Sequence, residues 1–279
     1  MAFADLADVR LFYTDDGPDA AVPLLLVHGW GGDSNNWAPH LPELTRDHRV
    51  IAADLRGHGY SSVPPSGYGP RDMAFDLAQL LDRLDAGPVI AVGHSMGAQV
   101  VTALAVEHAP RVRGVVVIDP AYGATGSEAD RFAERLGELN AGGAEAAVHG
   151  MAGAFRPSTP AWLRTWLVRQ MLGTPGHVLA QAYAGMYLAP DAFGERSAAE
   201  AYLARRTCPA LCVASLPEPA AWEARQLRHP LSTTVVWEGT GHYLHMERPA
   251  EFVAVLRRWL VTTMVAGPVT PQGETGAAP

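Results

Sequence analysis

Short runs of consecutive apolar residues alternate with longer stretches of helical periodicity along the first 120 residues. The runs fall at 23–28, 49–54, 88–92 and 112–118, and their lack of polar alternation predicts strands buried on both faces. Between them, apolar residues at Trp37, Leu41 and Leu44, and then at Met73, Leu77, Leu80, Leu81 and Leu84, recur at helical spacing. A further helix is predicted at 98–109. Residues 3–13 alternate instead, which predicts two short antiparallel strands closed by the turn-forming Asp15-Asp16-Gly17-Pro18. Such alternation of strand and helix calls for a parallel sheet with right-handed crossovers, helices on both faces and sites at the carboxyl ends of the strands.

The rhythm stops at Ala121 and resumes near residue 207. Residues 121–206, rich in Ala, Gly, Trp and Met, predict helices at 128–139, 160–171 and 177–187 with no strand between them. This stretch reads as a helical cap, a lid above the strand ends. Its Trp162, Trp166, Met186 and Tyr187 are candidate substrate contacts, although residues of these types also serve as ordinary packing. Strands at 210–214 and 233–237 and helices at 220–227 and 249–260 complete an eight-stranded, mostly parallel α/β core built from 1–120 and 207–265. The tail 266–279 has no core-forming residues and is expected to be disordered.

Composition narrows the classes. With 48% hydrophobic residues among 279, the chain can fill a large core, which excludes disordered and fibrous classes. A net charge of -8 without any Lys/Arg run speaks against a nucleic-acid partner. Cys208 and Cys212 match neither a disulfide framework nor a zinc site and read as small packing residues. The first ten residues lack the basic start and apolar run of a signal peptide, and no segment approaches the roughly 18–20 apolar residues of a membrane span. A cytoplasmic location with no membrane partner is therefore expected.

The chemistry centres on Gly93-His94-Ser95-Met96-Gly97. This G-x-S-x-G also occurs by accident in Gly- and Ser-rich loops, but here a predicted strand precedes it and a helix follows. In that setting the turn is sharp enough to force its serine into an unfavourable backbone conformation, and a Cβ at Gly93 or Gly97 would collide with the flanking strand or helix. A serine hydroxyl needs a histidine to take its proton and an acid to orient that histidine. In strand-turn-helix sites of this type the order along the chain is serine, acid, histidine, which selects His242 in Gly239-Thr240-Gly241-His242. The neighbouring His245 is expected to cap or pack.

Four motifs now stand in order: His28-Gly29-Trp30-Gly31-Gly32, Asp54-Leu55-Arg56-Gly57-His58-Gly59-Tyr60-Ser61, the serine turn at 93–97, and Gly239-Thr240-Gly241-His242 ahead of Glu247-Arg248-Pro249. Together they resemble the α/β-hydrolase superfamily from about residue 9 to 260. The resemblance implies Ser95 as nucleophile, His242 as general base, and the backbone N–H groups of Trp30 and Met96 as oxyanion hole. It implies structural roles for His28, Asp54, Arg56 and His58, which in similar proteins hold the loops around the oxyanion hole. A metal site from His28, His58, His94 and His242 lacks ligand spacing, and neither metal nor organic cofactor is expected.

The acid departs from the commonest pattern of the family, an Asp after the strand at 210–214. Ser215-Leu216-Pro217-Glu218-Pro219 stands there instead, with Glu218 at the matching position. The alternative is Asp119, at the end of the strand beside the serine strand, where some members keep their acid. Asp119 is favoured, with Glu218 as the alternative acid; Asp119 also has a bland reading as a strand terminator.

These residues imply acyl transfer to water through an acyl-enzyme on Ser95. Esterase, lactonase, carbon–carbon bond hydrolase and perhydrolase remain open, and the Met- and aromatic-rich cap suggests a medium-sized apolar or aromatic small molecule. Serine at the elbow sets the chain apart from haloalkane dehalogenases and epoxide hydrolases of this fold, which place Asp there. A cofactor-independent oxygenase-type or lyase-type enzyme using a His242/Asp119 dyad is the alternative, and a non-catalytic ligand receptor is a third class. The expected partner is a small-molecule substrate, and the expected state a monomer or homodimer.

Overall fold

The computed structural model describes residues 1–19 and 22–265. The expected disordered tail, 266–279, lies outside the described residues. Eight strands form one sheet: β1 (Ala2–Asp5), β2 (Arg10–Asp16), β3 (Leu24–Val27), β4 (Val50–Ala53), β5 (Val89–His94), β6 (Val112–Ile118), β7 (Ala210–Ala214) and β8 (Thr233–Val236). Their order is β1-β2-β4-β3-β5-β6-β7-β8. β1 pairs antiparallel with β2 and β2 with β4, and every other pairing is parallel. This is the mostly parallel sheet anticipated from the alternation, in the α/β-hydrolase fold implied by the motif resemblance.

The helices in chain order are α1 (Leu41–Leu44), α2 (Pro70–Arg83), α3 (Met96–Glu107), α4 (Ser127–Asp130), α5 (Phe132–Gly150), α6 (Ala161–Gly173), α7 (Gly176–Tyr187), α8 (Arg196–Leu203), α9 (Pro217–Gln226), α10 (Leu244–Glu247) and α11 (Pro249–Val265). The strand period of two divides the apolar side chains between two layers. Leu25, Val27, Ala91, Val115 and Val117 pack with α2 and α3 on one face. Leu24, Leu26, Ile90, Val92 and Val116 pack against Trp37 and the α11 residues Phe252, Leu256 and Trp259 on the other. Both faces are therefore covered, which is why the central strands carry no polar alternation.

The structure differs from the sequence expectations at four helices. The helix expected through Trp37, Leu41 and Leu44 is split into a 3-10 turn at Ser34–Trp37 and the four-residue α1. Pro39 and Pro42 each remove a backbone donor, so one continuous helix could not close its hydrogen bonds. The helix expected at 128–139 is broken at Arg131 into α4 and α5, α5 runs on to Gly150 with a kink at Gly143, whose φ of 54 is left-handed, and α8 was not anticipated. Pro217-Glu218-Pro219, read as a loop, is the first turn of α9; proline is tolerated there because first-turn N–H groups have no intrahelical acceptor. Five helices, α4 to α8, fill the stretch between β6 and β7 among the described residues.

Candidate active site

Ser95 joins β5 to α3 with φ 54 and ψ -115, a region that costs a non-glycine residue about 1–3 kcal/mol and persists only where the surroundings enforce it. They do so by close contact. A Cβ on Gly93 would lie 2.2 Å from the Gly97 carbonyl oxygen, and one on Gly97 would lie 2.5 Å from the carbonyl oxygens of both Val27 and His28. The Ser95 N–H is anchored to the Ile118 carbonyl at 2.9 Å.

The loop after β3 abuts this turn, since a Cβ on Gly29 would fall 3.3 Å from Ser95 Cβ. Trp30 follows, its Nε1–H donating to the Leu179 carbonyl of α7 at 3.0 Å. Met96 is the first residue of α3, so its N–H points out of the helix with the positive end of the dipole behind it. Behind the loop, His28 Nδ1 donates to the Gly29 carbonyl and Nε2 accepts from the Leu55 N–H. Asp54 accepts from the N–H groups of Ser34 and Tyr60. Arg56 forks onto the fully buried Asp76 at 2.6 and 2.5 Å, and His58 Nδ1 donates to the Arg56 carbonyl. Each of these side chains has a loop to hold.

His242 is fixed from three sides. Its Nδ1 lies 3.1 Å from Asp119 Oδ2, its N–H donates to the Ala154 carbonyl at 2.8 Å, and its own carbonyl accepts from His94 Nε2 at 2.9 Å. Burial, reinforced by the neighbouring His242, pushes the His94 imidazole down to about 3, so it is neutral and its single hydrogen sits on Nε2, facing that carbonyl. His245 packs in the interior between Trp37, His40 and His94. Ser95 Oγ makes no hydrogen bond to the imidazole in this structure; contacts of this kind commonly close only when substrate is seated.

Of the two acids weighed from sequence, Asp119 is the one brought to His242. Its carboxylate also accepts from the Ser215 N–H and hydroxyl, both at 2.7 Å. Burial alone would raise the Asp119 carboxyl, but the hydrogen bond and charge of His242 and the two donations from Ser215 outweigh it and hold the group below its usual value. Glu218 points elsewhere, to Arg196 at 3.0 Å, with 68% of its side chain exposed. Its place in the first turn of α9 carries it away from the imidazole.

A cavity of about 300 Å³ opens beside Asp119 and His242, lined also by Tyr187, Arg196, Glu218 and Glu223. Of the four cap residues singled out in the sequence, Tyr187 faces this cavity, stacked on Phe132 at 4.3 Å. The other three do not. Trp162 is 54% exposed, Trp166 packs with Leu163 and Met171 within the helical insertion, and Met186 is buried in the core. Among the described residues no group of three or more His, Cys, Asp or Glu side chains converges as a metal site.

Sequence reasoning missed the roles of Ser215 and Arg196 and of Ala154, Ser158 and Thr159 in the segment 151–160. That segment is stitched to the histidine loop: besides the Ala154 bond, Ser158 Oγ donates to the Gly239 carbonyl. Thr159 Oγ1 donates to Glu247, which accepts from the Gly241 N–H. Only the Ser158, Thr159 and Glu247 side chains carry a polar signal, and nothing in the sequence says what they meet.

A family model described as alpha/beta hydrolase fold matches residues 22–175, more than half of the chain. The chain belongs to the α/β-hydrolase fold family. The (E)-2-((N-methylformamido)methylene)succinate hydrolase of Acinetobacter baylyi is 25% identical over 251 residues, covering 86% of this chain and 91% of that protein. A thermophilic esterase from Thermogutta terrifontis superposes with a TM-score of 0.78 at 28% identity, over 91% of this chain and 94% of the esterase. The dihydrolipoyllysine-residue acetyltransferase component of the acetoin cleaving system of Cupriavidus necator is 38% identical over 118 residues. That match spans 42% of this chain and 31% of the length of that relative. Among the described residues no helix is long and apolar enough to cross a membrane.

Proposed function

We propose that the chain is a serine hydrolase that cleaves an ester, a lactone or an activated carbon–carbon bond of a medium-sized apolar or aromatic small molecule. The observation that carries the proposal is an Asp119-held His242 whose own carbonyl is hydrogen-bonded to His94, the residue that precedes the strained Ser95. His242 Nε2 takes the proton of Ser95 Oγ as the oxygen attacks the substrate carbonyl. The oxyanion that forms meets the N–H groups of Trp30 and Met96, each such donor being worth about a hundred- to a thousandfold in rate. The imidazolium then protonates the leaving group, water repeats the sequence on the acyl-enzyme, and Ser95 is restored. Asp119 stabilises the imidazolium and keeps the Nδ1–H tautomer. The helical insertion serves as the lid. A hydrolase of nearly full-length similarity and an esterase of the same architecture support the reaction class.

The test is turnover of an aryl acetate with and without a serine-directed fluorophosphonate. Labelling is expected to abolish turnover; ester turnover that survives full labelling contradicts the proposal.

A second reading is favoured by one observation, the position of the acid after β6 rather than β7. A His242/Asp119 dyad could deprotonate a heteroaromatic substrate for cofactor-independent oxygenation. Substrate-dependent oxygen uptake that persists in Ser95→Ala would establish it.

A further inference from the structure

Glu218 has no part in orienting His242, yet it borders the cavity beside that imidazole. The ionisable side chains lining the cavity are Asp119, Glu128, Glu218, Glu223, Arg196 and His242, four carboxylates against one guanidinium. Glu223 is neutralised from behind by Arg206 at 3.1 Å, in a pair that is almost wholly buried. The cation that remains, Arg196, is already engaged. Its Nε donates to the Gly123 carbonyl at 3.0 Å, its Nη2 to Glu218 at 3.0 Å, and its guanidinium lies 5.2 Å over the Trp222 ring.

The cavity meets the serine turn at Ala121, a lining residue whose N–H donates to the Ser95 carbonyl at 3.2 Å, so a substrate carboxylate entering it from that side meets a field of net negative sign. Asp119 must stay ionised to hold the imidazolium, Glu128 at the exposed rim forms no salt bridge among the described residues, and Glu218 occupies the fork of Arg196 that would otherwise receive an anion. We infer that Glu218, by masking Arg196, makes this cavity select uncharged acyl groups and reject those ending in a carboxylate. The inference rests on the hydrolase reading and adds a substrate class to it. It also separates this chain from its Acinetobacter baylyi relative, whose name specifies a succinate. The size of the cavity, about 300 Å³, fits an acyl group of a few carbons or one ring rather than a long chain.

The test compares two esters of equal length and identical leaving group, para-nitrophenyl hexanoate and mono-para-nitrophenyl adipate, which differ by one terminal carboxylate. The wild-type protein is expected to favour the hexanoate in kcat/KM by about tenfold or more, since like charges brought together in a partly desolvated site carry penalties of that order. Glu218→Gln uncovers Arg196 and is expected to shift the ratio about tenfold toward the adipate, the effect of one charge-assisted hydrogen bond. Adding Arg196→Met to Glu218→Gln should cancel that shift. Equal turnover of both esters by the wild-type protein, or an unchanged ratio in Glu218→Gln, overturns the inference. Calorimetric binding of the same esters to Ser95→Ala reads the preference without chemistry. A hexanoate preference there, with no ester turned over by the wild-type protein, would sink the hydrolase reading and leave the charge selection standing; no preference there would overturn the selection itself.

Discussion

Asp119 and Ser215 follow adjacent parallel strands, and Ser215 turns both its N–H and its hydroxyl onto the carboxylate that holds His242. The acid of this site is therefore supported by a neighbour that cannot itself serve as one. Removing the hydroxyl in Ser215→Ala leaves the backbone donor and is expected to cost about 1.5–3 kcal/mol at neutral pH, the range for a hydrogen bond to a charged group. The sign follows from linkage. A carboxyl held below its ordinary value stabilises the fold above that value and loses the contribution as pH falls through its folded pKa. The stability gap between wild type and Ser215→Ala should accordingly close under acid, as followed by thermal melts across the carboxylate range; a gap that widens there contradicts this account. Asp119→Asn should lower kcat by about a thousand- to ten thousandfold, whereas Glu218→Gln should leave the wild-type tautomer of His242 intact.

The stitch between the helical insertion and the histidine loop should act on rate rather than binding. Thr159 is 3% exposed and props Glu247, which in turn holds the Gly241 N–H next to His242. Thr159→Val is expected to lower kcat about tenfold with little change in KM, because small misplacement of a catalytic group is costly. Thr159→Ser should restore it. Steady-state kinetics on an aryl acetate, with melting temperatures in parallel, separate this from general destabilisation.

Gly97 tolerates no side chain. A Cβ there would press on two backbone carbonyls of the β3 exit, neither of which can rotate away. Gly97→Ala should destabilise by about 2 kcal/mol or more, or roughly 5 °C in Tm, with turnover falling at the same time as the oxyanion loop is displaced. A melt indistinguishable from wild type would refute the tight-turn argument.

Buried imidazoles set the acid limit of the fold. Burial lowers the pKa of His28 and lowers His245 well below its usual value, and it pushes His40 to about 4 and His58 and His94 to about 3. In the unfolded chain each would titrate near 6.5, so below that pH the unfolded state binds more protons and stability falls as pH drops. Each of the four with large shifts, His40, His58, His94 and His245, contributes up to about 1.4 kcal/mol per pH unit, so together they give a slope of about 5–6 kcal/mol per unit, comparable to the total stability of a domain. Unfolding followed by circular dichroism is expected between about pH 4 and 5.5; a fold intact at pH 3 would contradict the assignment of these histidines as neutral.

The sheet was largely legible because burial on both faces leaves an unbroken apolar signature. The strands at 112–118 and 210–214 were located to the residue, and the serine turn announced itself through two glycines that packing makes obligatory. Helix boundaries were less legible where proline reverses its meaning with position: Pro39 stands at the break in an expected helix, while Pro217 opens one. The support of the site was hidden for a different reason. Ser215 meets a carboxylate 96 residues upstream, and Ala154 contributes only a backbone carbonyl, which any residue would present. Such contacts depend on how strands and loops come together, not on local pattern. For the same reason, Trp162 and Met186 looked like substrate contacts by type, yet one faces solvent and the other the core.

The most direct measurement is intact-protein and peptide mass spectrometry after brief reaction with a slowly deacylating aryl ester, alongside kinetics of Ser95→Ala. The account predicts an acyl adduct on the peptide carrying Ser95, no adduct in Ser95→Ala, and a loss of turnover of about ten thousandfold or more. Undiminished ester turnover in Ser95→Ala, or an adduct on another residue that accounts for catalysis, would contradict it.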